Sequence, residues 1–158
     1  MSFAQSLKIN QDQIRIRSFE FNGQVLRVRV PLTAEADALY EKMKAPSEEL
    51  VAQKYKELST PLLEKRAELE KADSEIQYKK DDIVLAGTSI KALAQSQAEG
   101  ETRILETFKF LVPADGRDMT TLTYEEICED LPLPIQLELV KKISEVISTG
   151  YEEIRKNS

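Results

Sequence analysis

The chain of 158 residues has no histidine, no tryptophan, one cysteine and five glycines. Without histidine there is no Ser-His-Asp or Cys-His nucleophile system, no His-ligated zinc, no proximal-His haem and no imidazole base. The one cysteine, Cys128, cannot close an intramolecular bridge, and it stands among carboxylates (Glu125, Glu126, Glu129) that disfavour a thiolate, so it reads as a small packing residue. The glycines never cluster, which leaves neither a Walker-type loop nor a dinucleotide fingerprint. No run of 18 apolar residues occurs, and Met1 to Asn10, with its early Lys8, lacks a signal-peptide core. The expectation is a soluble, cytoplasmic protein without membrane, metal or cofactor.

What the chain does have is charge, 32% of its residues, with a net of −6. From Lys8 to Arg29 five basic residues face two acidic ones; from Ala114 to Glu138 seven acidic residues face one arginine. Unlike ends of this kind either stay solvated or steer a protein partner, including a second copy placed head to tail.

From Gln13 to Val30 the apolar residues alternate around Asn22-Gly23, a dipeptide that accepts the positive φ angles of a type I′ turn, and this predicts a hairpin. Pairing Phe21 with Gln24 sets Phe19 opposite Leu26. The phase slips after Ile16, so a bulge is expected near Arg17-Ser18, with Arg15, Arg17, Arg27 and Arg29 on the outer face. Those arginines, with Phe19 and Phe21, are the best case for nucleic acid, but the net-acidic body opposes it at long range, and no nucleic acid is expected as a partner.

A helix capped at Thr33 runs through Met43 and stops at Ala45-Pro46; Ser47 starts another, which Ser59-Thr60-Pro61 ends with a fresh cap. Beyond Pro61, Leu62, Leu69, Ile76, Ile83 and Ile90 fall seven apart, which predicts a helix from Pro61 to Leu85 about 37 Å long. Its companion positions (Leu58, Lys65, Ala72, Lys79, Ala86) are poor, favouring a helical hairpin over a parallel coiled coil. Gly87-Thr88-Ser89 breaks or caps this helix, and Ile90 to Gly100 reads as a short or frayed one. Thr102 to Val112, rich in aromatic and β-branched residues, is predicted as a third strand.

Pro113 to Gly116 is a turn, Thr123-Tyr124-Glu125-Glu126 has the form of a capping box, and that helix stops at Leu131-Pro132. Pro134 opens the last helix, striped by Ile135, Leu139, Ile143, Val146, Ile147 and Ile154. The fold expected is α+β, mainly helical, with a small antiparallel sheet and a long charged helical segment. It forms one domain over 1–158, with 47–100 a projecting helical arm or hairpin.

The neighbouring carboxylates Asp81-Asp82 and Glu125-Glu126 point about 100° apart on a helix, so neither makes a catalytic pair, and Asp115 to Asp118 lacks the alternating ligands of a calcium loop. No enzyme is expected. The order of parts, Phe19-Glu20-Phe21-Asn22-Gly23 through Arg27 to Pro31 into the Thr33 helix, and Thr123 to Ile127 with Leu131-Pro132 and Ile135 to Ile147, resembles the tail assembly chaperones of long-tailed bacteriophages. It covers about two fifths of the chain; the charged segment from Ser47 to Gly100 is longer than that pattern. The resemblance implies a non-enzymatic protein of the host-cell cytoplasm that solubilises the tape-measure protein and helps recruit tail tube subunits, in a family where a frameshifted, longer product often adds a tube-binding domain. On it, Leu62, Leu69, Ile76 and Ile83, and the stripe Leu139, Ile143 and Ile147, become the surfaces for a helical client. The alternative is a self-assembling structural component of a phage particle.

Overall fold

The computed structural model describes residues 1–72 and 75–149. In chain order the elements are α1 (Phe3–Ser6), α2 (Gln11–Arg15), β1 (Ile16–Phe21), β2 (Gln24–Arg29), α3 (Thr33–Lys44), α4 (Glu48–Glu64), α5 (Arg66–Lys71), β3 (Ile76–Tyr78), β4 (Ile83–Leu85), β5 (Thr88–Ser89), α6 (Ile90–Phe108), a 3-10 turn (Met119–Thr121), α7 (Tyr124–Asp130) and α8 (Leu133–Ser148). The fold is α+β and mainly helical. Two compact units divide the chain: Met1–Tyr40 together with the chain from Arg103 onward, and Glu41–Thr102, with the boundaries inside α3 and α6. The segment 47–100 lies within the second unit.

In the first unit the hairpin forms as its sequence demands. Asn22 and Gly23 sit at φ +54° and +81°, and Phe21 pairs with Gln24 and Phe19 with Leu26. The bulge does not form. Pairing runs unbroken to Ile16 opposite Arg29, which sets Arg17 opposite the fully buried Val28 and Ile16 on the other face. The phase slip is absorbed by Arg17 entering the core face, because its guanidinium finds carbonyls at the end of α8: it donates to Val146 O at 2.7 Å, Thr149 O at 3.3 Å and Ile147 O at 3.5 Å. The face of four arginines is therefore absent. Arg15 belongs to α2, where its Nε donates to Val30 O and its terminal nitrogen pairs with Glu35, and only Arg27 and Arg29 remain outside.

The expected third strand is mostly helix. Ile104, Thr107 and Phe108 are buried one turn apart on α6, so the same residues that read as strand by composition also satisfy a helical stripe, and packing decides. Pairing with the hairpin survives just beyond the helix, where Leu111 bridges Val28, Arg29 N–H donates to Phe110 O and Val112 N–H to Arg27 O, each at 2.8 Å. The core gathers Val28, Ile104, Phe108, Ile127, Leu139, Val140 and Ile143. Thr123 caps α7 through Glu126 N–H, but the Glu126 carboxylate pairs with Arg117 instead of closing the capping box. Ile154 lies outside the described residues.

The second unit replaces the predicted long helix with a meander. Ser47 caps α4 as expected, but α4 continues past Pro61 to Glu64: the Thr60 and Ser59 hydroxyls donate back to Lys56 O instead of capping a new start, and Pro61, in the last turn, removes a single helical bond. After α5, β3 pairs with β4 (Tyr78 opposite Ile83) and β4 with β5 across Ala86-Gly87, whose φ angles of +50° and +81° make a second I′ turn. Ser89 then caps α6 by accepting from Ala92 N–H at 3.1 Å. Pro46, Ile83, Ile90, Ala94 and Ala98 are buried in this unit.

Candidate partner-binding surfaces

The residues predicted to form one helical seam stand on four elements: Leu62 on α4, Leu69 on α5, Ile76 on β3 and Ile83 on β4. Ile83 is buried and the other three half-buried. A seven-residue spacing presents one face only where the backbone stays helical, and here it leaves the helix after Lys71. The C-terminal stripe is core: Leu139 and Ile143 are 5% and 0% exposed, and Ile147 packs half-buried against them, so a client cannot reach Leu139 and Ile143 while the fold is intact.

Among the carboxylates, Asp82 is the most engaged. It accepts from Ile83 N–H at 2.8 Å, from Lys91 N–H at 3.0 Å and from the Ser89 hydroxyl, fastening the turn after β3 to the start of α6. The Ser89 hydroxyl first, then these backbone donors and the Lys91 charge, hold its carboxyl below the ordinary value against some desolvation. A depressed folded pKa gives stability that is whole above the unfolded value, about 3.9, and is lost as pH falls through the folded one. Asp82→Ala should therefore lower the urea midpoint at neutral pH and lessen the loss on acidification; equal midpoint shifts in variant and parent across that acid range would refute the role. No group of three metal-ligating side chains occurs among the described residues.

Three cations, Arg29, Lys109 and Arg117, line a cleft of about 400 Å³ beside Phe110 to Thr120 in the first unit. Each already has a carboxylate, in Asp12, Glu106 and Glu126, so none is left free for an anionic ligand. β1 has an open edge. Its partner residues Arg27 and Arg29 turn their backbone groups away from it, so those of Ser18, and by alternation Glu20, point outward with no backbone partner among the described residues.

In the second unit the Lys54–Glu101 ion pair joins α4 to α6. Burial works against the Lys54 charge, but Glu101 and Glu57 outweigh it and hold the ammonium above its ordinary value. Between these helices opens a cleft of about 360 Å³, lined by Pro46, Glu48, Val51, Ala52 and Tyr55 on one side and by Lys91 and Gln95 on the other. Desolvation, then Asp82 and Asp81, raise the Tyr55 pKa, so the hydroxyl stays a neutral donor over the physiological range. Val51 with Tyr55, and Lys91 with Gln95, are pairs one helical turn apart, a signal present in the sequence and masked there by the seam of sevens. Comparison with known protein families, with characterised proteins and with solved structures finds no match. Among the described residues no helix is long and apolar enough to cross a membrane.

Proposed function

We propose that this protein is a non-enzymatic binding protein of phage tail assembly, a chaperone that keeps the helical tape-measure protein soluble and helps recruit tail tube subunits. The order of hairpin, capped helices and proline-punctuated C-terminal pair supports it, and the cleft between α4 and α6 is the observation that carries it. A lining that combines Pro46, Val51, Ala52 and Tyr55 with the opposite charges of Glu48 and Lys91 suits one anchor side chain of an amphipathic helix whose flanks carry both charges. The client surface is this cleft rather than the seam.

Co-expression with a phage tape-measure protein tests the reading: the protein should raise the soluble yield of that client and copurify with it. Ala52→Arg, which fills the cleft from an exposed helical position, should weaken the complex about tenfold or more while leaving the circular dichroism unchanged. Undiminished binding by that variant would refute the cleft, and an insoluble client in the presence of the wild-type protein would refute the chaperone role. The open edge of β1 favours a second reading, a structural component that remains in the particle; its presence in purified mature particles would decide for that reading.

A further inference from the structure

Two apolar surfaces of the first unit are exposed among the described residues and are complementary to each other. The first is the N-terminal arm. Ser2 and Gln5 close a capping box at the start of α1, and Ile9 N–H donates to Ala4 O at 2.9 Å past Lys8, which takes the left-handed conformation at φ +58°, as in a Schellman stop. The turn is thus fixed by its own backbone bonds while none of its residues is buried. It holds Phe3 and Leu7, one turn apart, 80% and 52% exposed. From Met1 to Gln11 there is no acidic residue, and Lys8 has no ion-pair partner among the described residues.

The second is the corner where α7 meets α8. Leu133 and Leu137, again one turn apart, are each 53% exposed. Glu125, Glu129 and Asp130 on α7 and Glu138 on α8 are exposed, close to them in sequence and unpaired among the described residues, against the two cations Lys141 and Lys142 further along α8. The sequence dipole is largely spent elsewhere, since Arg15, Arg17 and Arg29 have partners inside the unit. What remains is this localised match of an apolar, cationic turn with an apolar, acidic corner.

We propose that the arm of one copy docks through Phe3, Leu7 and Lys8 onto the Leu133–Leu137 corner of a second copy. The contact is heterologous, so a docked pair keeps one free arm and one free corner and the chain assembles head to tail into a ring or an open row. The turn is ordered before it binds, which lowers the entropic cost of docking. The inference stands independently of the tail-assembly reading.

Sedimentation velocity of the full chain over a range of concentrations, at low and high salt, tests it. The wild-type protein should associate beyond a dimer and do so less in high salt, because the rim is solvent-accessible. Leu133→Glu with Leu137→Glu, or Phe3→Ser with Leu7→Ser, should each leave a monomer, every substitution weakening association about tenfold or more. Glu129→Lys with Asp130→Lys checks the corner by charge alone, and Lys8→Gly removes the cation while keeping the left-handed turn. An equimolar mixture of the arm variant with the corner variant should give a dimer and nothing larger, since one intact arm then meets one intact corner. A monomeric wild-type protein would overturn the proposal. So would association that needs the arm but is indifferent to all corner variants, which would mean arm packing on arm.

Discussion

Ile143→Ala should cost the first unit about 3 kcal/mol. Ile143 is fully buried among Val28, Ile104, Phe108, Ile127, Leu139 and Val140, residues drawn from the hairpin, α6, α7 and α8. Removing its outer carbons forfeits their transfer energy and leaves a cavity that four elements would have to collapse together to fill. Ile147, half-buried at the margin of the same cluster, should cost about 1 kcal/mol on the same truncation because water and neighbours can fill the gap. Urea unfolding, followed by amide exchange in α8, checks both. An Ile143→Ala protein within about 0.5 kcal/mol of wild type would mean that the site is not packed as described. The same pair separates core from client surface. A contact residue would lose client binding with its stability intact, and the burial of Ile143 requires the reverse order of effects.

Where the sequence was legible, a local backbone demand left one solution. Asn22-Gly23 needs two positive φ angles, and from that turn the pairing of Phe21 with Gln24 and of Phe19 with Leu26 follows residue by residue. Thr123 and Pro134 mark helix starts by the same logic of orphan N–H groups and a fixed φ. Reading failed where two periodicities shared the same residues. Ile76 and Ile83 are seven apart, as on a helix, yet each stands in a three-residue strand on either side of the Lys79–Asp82 turn, and the Ala86-Gly87 turn that continues the meander carries its positive φ at an alanine as well as a glycine. Ile104, Thr107, Phe108 and Leu111 obey a helical stripe while looking like strand by composition, and tertiary burial settled the first three as helix and the last as a bridge to Val28.

The candidate surfaces were harder to read than the fold, for a physical reason. Val51 and Tyr55 line the same cleft as Lys91 and Gln95 only because the meander brings the start of α6 back beside α4, a long-range event with no local signature. Leu139, Ile143, Leu133 and Leu137 are all leucine or isoleucine on one helix, and which two face water depends on the position of the hairpin, which a one-dimensional stripe does not contain. Charge misled in the same way. Arginines that alternate along a strand suggest a common outer face until one of them is needed inside.

That arginine carries the second large effect. Arg17→Ala should cost about 2 kcal/mol, since hydrogen bonds from a charged donor are worth more than neutral ones and a cation at a helix C-terminus also opposes the macrodipole's negative end. The last carbonyls of α8 have no intrahelical donors; Thr149 reaches back to Glu145 through its N–H and its hydroxyl, and Arg17 supplies Val146, Ile147 and Thr149. Without the guanidinium those acceptors must find water beside a half-buried strand, so the loss should concentrate in the final turn of α8 and appear as faster amide exchange there. Arg17→Lys keeps the charge but replaces a planar fork by a point donor and should recover about half of the loss, whereas Arg17→Glu adds repulsion from the carbonyls and should exceed the alanine variant. The ordering wild type, Lys, Ala, Glu in urea midpoint is the signature of a helix terminus held by charge and geometry together. If Lys and Ala were indistinguishable the electrostatic half of the account would fail, and if Ala matched wild type the position would be a solvated strand residue like Arg27.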